Sequence, residues 1–200
     1  MDGELSWEPH IENIIKRCFG ILIGLIHIRH IIPKNILPRI VDALVLSHVR
    51  YCASVYGSAN RTAVAKLQKV FNFAARVISG RRKYDHVSDV LDDLSWLRAP
   101  DMISYFDITL IHGVLTFGKP DLLRSWLSYN HEHVCRDTRQ SHYLSLPRAR
   151  NNHGKRRYLY RAADMYNRMA IANHHSSLSV PAFKTKARAL LGNRQRDTQS

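Results

Sequence analysis

From residue 11 to residue 78 the apolar side chains recur every three or four positions. That period fits amphipathic helices and excludes half-buried strands, whose side chains alternate in twos. The first stripe is Ile11, Ile14, Ile15, Cys18, Ile21, Leu22 and Leu25. Ser6 is the expected cap, Glu8, Pro9 and Glu12 suit a first turn, and Ile32-Pro33 should end the helix. A second helix is expected from near Lys34, with Pro38 confined to its first turn. Its face is Ile40, Val41, Leu44 and Val45, continued by His48, Val49 and Cys52, and it stops near Gly57-Ser58. A third helix is capped by Asn60, turns Val64, Leu67, Val70, Phe71, Ala74, Ala75 and Ile78 inward, and closes at Gly80. Connections this short predict antiparallel neighbours, a helical bundle over residues 1–80.

Residues 81–127 read as a connecting helical layer. Arg81-Arg82-Lys83 marks its start, followed by a short helix from Val87 to Leu94 and then Trp96-Leu97. A longer helix opens at Ala99-Pro100-Asp101 and ends near Gly118-Lys119-Pro120, and a brief one covers Pro120 to Trp126. Residues 128–200 form a basic C-terminal region. Its first part, Tyr129 to Arg161, is polar and His-rich, and the alternation Tyr143-Leu144-Ser145-Leu146 predicts short strands. Helices return over Ala162–Met169 and Pro181–Leu191, with Ser179 as a cap. Trp7, Trp96 and Trp126 stand at element ends, where packing of helix on helix is expected. The predicted fold class is mostly α: a bundle, then a partly irregular region with short strands and terminal helices.

Charge narrows the choice of partner. The chain carries 30 Lys and Arg against 16 Asp and Glu, a net +14. Residues 131–200 hold 14 against 4, so +10 of that excess lies in the last third. Such asymmetry is a footprint for a polyanion, most often nucleic acid. A hydrophobic fraction of 45% makes a folded core the default over disorder. Three scattered cysteines, Cys18, Cys52 and Cys135, do not make a disulfide framework and favour a reducing compartment. The apolar run from Phe19 to Ile32 is broken by His27, Arg29 and His30 and is shorter than the roughly 20 residues a bilayer requires. With an acidic N-terminus unlike a signal peptide, the expectation is a soluble intracellular chain, nuclear or cytoplasmic, with no membrane partner.

The nucleic-acid candidates are Arg139, Arg148, Arg150, Lys155, Arg156, Arg157, Tyr158, Tyr160 and Arg161, with Tyr143 nearby. Arginine forks grip phosphate, and aromatic faces accept unpaired bases. Lys155-Arg156-Arg157 also has the composition of a short nuclear-import cluster. His131, His133 and Cys135 alternate, so an extended strand would put three soft ligands on one face. No second close pair completes a structural zinc set, and a solvated His-rich loop is the preferred reading. Asp92-Asp93 is the sole adjacent carboxylate pair. Its helical neighbours argue for an exposed helix face rather than a metal-holding hairpin.

Taken in order, these residues resemble the segment that follows the palm in reverse transcriptases of non-LTR retrotransposons. The resemblance runs over almost the full length. It is carried by Trp7, His10 and Ile11; by Leu46, His48 or Val49, Tyr51, Cys52, Tyr56 and Gly57; and by Leu67, Gln68, Lys69, Ala75, Arg76 and Ile78. It continues through Leu91, Leu94, Trp96 and Leu97, then Thr138-Arg139, Pro147, Arg148, Gly154-Lys155-Arg156, Tyr160-Arg161, Tyr166-Asn167 and Phe183-Lys184. Tyr166 departs from the tryptophan usual there, and neither the palm's Ala-Asp-Asp signature nor a Cys/His zinc knuckle is found. The resemblance implies a thumb-like bundle and a basic tail that position template RNA, primer or target DNA. It implies that catalysis, with its Mg2+, belongs to an upstream palm, so this chain holds no cofactor and is inactive alone. The alternative expectation is a stand-alone basic helical protein, domesticated or relic, that binds RNA or a protein partner.

Overall fold

The computed structural model describes residues 7–132, 141–172 and 178–197, which are mostly helical. The chain divides into two compact units, Met1–Ile103 and Ser104–Ser200. Ser6, Arg139, His133 and Cys135 lie outside the described residues.

The first unit is built on α1 (Glu8–Ile28) and α5 (Arg61–Ser79). Ile11, Ile14, Cys18, Leu22 and Leu25 bury one stripe of α1; Ala63, Leu67, Val70, Phe71, Ala74, Ala75 and Val77 bury the facing stripe of α5. Paired residues fix their directions. Glu8 accepts a hydrogen bond from Asn60, Glu12 pairs with Lys66 at 3.0 Å, and the Phe19 and Phe73 rings stack at 5.1 Å. Partners ascend together in both helices, so α1 and α5 run parallel. The segment between them runs back: Cys18 lies against the Val45 carbonyl and the His10 ring against Tyr56.

That return segment is not the continuous helix the sequence predicts. It comprises α2 (Leu37–Val41), a π-helical turn (Asp42–Leu46), α3 (Ser47–Arg50) and α4 (Ala53–Tyr56). A π turn takes up one extra residue, so Val45 and Val49 stay buried as expected while Leu46 turns inward beside them. Leu44 is accordingly 49% exposed while Leu46 is fully buried. Cys52 adopts left-handed φ of 53° and is exposed, and Ala53 takes the inward position expected of it. Arg50 pairs with Asp42 at 2.7 Å across the π turn.

Caps fall where short polar side chains can serve them. Asn60 accepts from the Ala63 amide at 2.7 Å, and Gly80, at φ 76°, closes α5 by donating its amide to the Arg76 carbonyl. α6 (Ser88–Asp93) then brings Leu91 inward, and Trp96 meets Phe71 edge-on at 6.3 Å. The start of α7 (Ala99–Phe117) is tied down where the Ala99 amide donates to the Gln68 side chain at 2.8 Å. No helix among the described residues is long and apolar enough to cross a membrane.

The second unit contains the remainder of α7, then α8 (Asp121–Ser125), a short 3-10 turn (Asn130–Glu132), α9 (Asn152–Arg156), α10 (Tyr158–Ala172) and α11 (Val180–Asp197). Its core gathers Ile108, Ile111 and Val114 of α7, Ala162, Ala163, Tyr166 and Met169 of α10, and Phe183, Ala187 and Leu191 of α11. The expected short strands reduce, among the described residues, to one antiparallel bridge between Tyr129 and Leu144. Trp126, expected in a core, is 54% exposed, because α8 is too short to carry a buried stripe.

Candidate nucleic-acid interface

The basic residues of the second unit sort by what surrounds them. Asp107 on α7 is completely buried, and Arg161 of α10 forks onto it through Nε at 2.6 Å and Nη2 at 3.1 Å. The same guanidinium donates through Nη1 to the Arg156 carbonyl at 2.8 Å. Arg161, read from the sequence as a phosphate contact, is therefore the internal partner of a buried carboxylate, which a two-pronged donor satisfies better than a point charge. Tyr158 is half-buried, and burial pushes its hydroxyl pKa up from the ordinary value. Tyr160 and Arg156 are also half-buried, and the Arg156 Nε has no hydrogen-bond partner.

Arg148, Arg150, Lys155 and Arg157 lie on the outside. None of the four forms an ion pair among the described residues. The local fold holds them within ten residues of one another. The Asn151 side chain caps α9 by accepting from the Gly154 amide at 2.8 Å. A Cβ on Gly154 would meet the Ala149 side chain at 3.2 Å, so glycine lets the turn of α9 close against the preceding loop. Four cations with no carboxylate between them are suited to a run of phosphates.

Behind this surface, residues 128–131 pair with residues 141–145. The Asn130 amide donates to Tyr143 O at 2.9 Å, His131 to Ser141 O at 3.1 Å, and Ser145 to Ser128 O at 2.8 Å. Asn167 of α10 clamps the same strip, accepting from the Leu144 amide at 2.8 Å and donating to its carbonyl at 2.9 Å. Between them opens a cleft of about 370 Å³. The loop contributes Tyr143, Leu144 and Leu146; α10 contributes Asp164, Asn167 and Arg168.

A second polar feature holds α11 to the unit. His112 is 2% exposed and sits flat against Phe183, ring centroids 4.0 Å apart. Its Nδ1 lies 3.1 Å from the Tyr166 hydroxyl and its Nε2 2.9 Å from Leu178 O. The neutral tautomer with hydrogen on Nε2 satisfies both, donating to the carbonyl and accepting from the phenol. Sequence reading passed over His112 and Asp107, since nothing local distinguishes a buried histidine or aspartate on an apolar helix from an exposed one.

Asp92 and Asp93 are both exposed on α6, and neighbours on a helix point about 100° apart. Among the described residues no group of three or more His, Cys, Asp or Glu converges as a metal site. The carboxylates therefore do not fit the ion pair a polymerase holds. His131 stacks on Tyr129, and its Nδ1 donates to the Ser141 carbonyl, 3.0 Å away.

The positions that carry the resemblance are largely packing positions. The His10 ring lies 6.0 Å from Trp7 and 5.9 Å from Tyr56, whose hydroxyl donates to the Val49 carbonyl. Tyr166, Asn167 and Phe183 make the contacts described above. Tyr51, by contrast, is 75% exposed. Comparison with family models, with curated proteins and with solved structures gave no match.

Proposed function

We propose that this chain is the post-palm part of a retrotransposon-type reverse transcriptase, positioning template or primer nucleic acid for a catalytic palm carried upstream. The observation that carries the reading is the cluster Arg148, Arg150, Lys155 and Arg157, exposed and without carboxylate partners among the described residues. Backbone phosphates are its natural ligands, and the contacts are indifferent to base sequence.

A second observation favours an enzyme part over a stand-alone protein. Beyond Leu22 the first helix is apolar nearly all round, leaving Ile23 51%, Ile26 37% and Ile28 48% exposed, and Ile31 in the turn after it is 73% exposed. Such a face is covered in a working protein, and a palm is the partner the resemblance implies. The test is to read the source transcript upstream of Met1 in the same frame. A palm with its paired aspartates there supports the reading; a stop codon overturns it in favour of a stand-alone basic protein.

Phosphate binding has its own test, the affinity of the full chain for a single-stranded oligonucleotide measured across a salt series. On single strands each neutralised phosphate contributes about 0.7 to the log–log slope, so replacing all four basic residues with Ala should flatten it by about 3. An unchanged slope would remove the proposed interface. Because the resemblance assigns the metal-holding carboxylates to the upstream palm, the chain alone should not extend a primer.

A further inference from the structure

We infer that the cleft between the 143–146 loop and α10 seats an unpaired guanine base of a single-stranded nucleic acid. This rests on the reading of the second unit as a phosphate-binding surface and adds to it a point of base recognition.

The cleft has the composition of a base pocket. Tyr143 is half-buried and Leu146 is 39% exposed, and together they give the loop side an apolar, partly aromatic wall against which a flat base can stack. The other tyrosines of the unit near α10 are occupied otherwise: Tyr166 is buried against His112, and Tyr158 is drawn inward. A volume of about 370 Å³ accommodates a single base.

The walls are rigid and the polar groups are few. Asn167 commits both ends of its amide to the Leu144 backbone, so it fixes the loop at its distance from α10. Beside Asn130, which also lines the cleft, recognition falls to Asp164 and Arg168, one turn apart on α10 and paired at 2.9 Å. A carboxylate only accepts and a guanidinium only donates. Arg168 occupies one of the roughly four lone-pair directions of Asp164, which leaves the carboxylate able to accept from a ligand.

Guanine fills that arrangement most completely. It presents two adjacent donors, N1–H and the N2 amine, beside the O6 acceptor. Seated here, its donors face Asp164 and its O6 faces Arg168. Uracil and thymine bring only N3–H to the carboxylate, and adenine and cytosine only an exocyclic amine, so each makes one donor contact there where guanine makes two. The strand is also anchored alongside. Arg157 immediately precedes α10, seven residues and about 10 Å of rise before Asp164, so phosphates can lie on Arg157 while the base enters the cleft.

The test uses the full chain with fluorescent oligouridylates of about ten nucleotides, with and without one central guanine, and the deoxy counterparts. Guanine should tighten binding by about tenfold, the discrimination a good two-point base contact supplies. Asp164→Asn should abolish that preference while binding the all-uridine strand no more weakly, and Arg168→Gln, which leaves the carboxylate in place, should reduce it independently. Tyr143→Ala should weaken both strands. Equal binding of the two strands, or a guanine preference that survives Asp164→Asn in a folded protein, overturns this inference and leaves the phosphate surface standing. Failure of every strand to bind at low salt overturns both. A preference shared by RNA and DNA locates recognition in the base, whereas one confined to RNA would show that the ribose, and not the Asp164–Arg168 edge alone, is read.

Discussion

Arg157 and Arg161 are four residues apart and chemically identical, yet one faces water and the other a buried aspartate. The difference sets what each substitution does. Asp107→Ala strands the Arg161 charge in a largely dry site, where its side chain is only 19% exposed. A loss of about 2–4 kcal/mol is expected, with the upper range reserved for fully buried pairs. Urea unfolding followed by a probe in the second unit measures it, and a loss below about 1 kcal/mol would mean that water reaches the pair. His112 makes a second residue-scale case. Burial holds its pKa below the ordinary 6.5, against a weaker upward pull from the Leu178 carbonyl. As pH falls through 6.5 the unfolded chain takes the proton first, so the contribution of neutral His112 is complete above that value and declines below it. The wild type should therefore lose more stability than His112→Gln between about pH 7.5 and 5.5, although the variant is the less stable of the two at the higher pH. Parallel pH profiles would refute the assignment.

At the scale of elements, caps and registers decide outcomes that composition does not. Asn60 caps α5 and also donates to Glu8, so Asn60→Ala removes a helix start and a tie to α1 together. A cost of about 1–2 kcal/mol is expected from thermal or urea unfolding of the first unit. A cost near zero would show that the cap is replaced by water. α1 and α5 were legible in the sequence because their stripes are long, and the end signals of α5, Asn60 and Gly80, hold, whereas α1 stops at Ile28, short of the Ile32-Pro33 expected to end it. The return segment was not. Its apolar residues fit a single helix on paper, but a π turn at Asp42–Leu46 brings Leu46 inward in place of Leu44, and a left-handed Cys52 hands the next inward position to Ala53. Helical periodicity assumes a constant turn, and an inserted residue is invisible to it until the chain is packed. The Tyr143–Leu146 alternation was read as strand for the opposite reason: local pattern suits a ladder, but the described residues contain only the Tyr129–Leu144 bridge, with Asn167 filling the role of the missing neighbour.

For the molecule as a whole, the exposed apolar residues at the end of α1 and in the turn after it are the feature with measurable consequences. Ile23, Ile28 and Ile31 leave a large apolar surface in water, and concentration-dependent self-association of the isolated chain is expected. Replacing Ile23 and Ile31 with Lys should raise the concentration at which association begins, measured by sedimentation, with little change in unfolding midpoint because neither side chain is buried. A lower midpoint would assign those residues to the core instead. The sequence by itself determined the helical class, the main caps at Asn60 and Gly80 and the concentration of positive charge in the last third, since spacing, capping chemistry and formal charge are local properties. Tertiary structure alone decided which cations remain outside, which histidine and aspartate lie within, and that a cleft opens beside α10. Each of those depends on residues far apart in the chain, Asp107 with Arg161 and Leu144 with Asn167, and no local pattern encodes which distant partner will desolvate a given side chain.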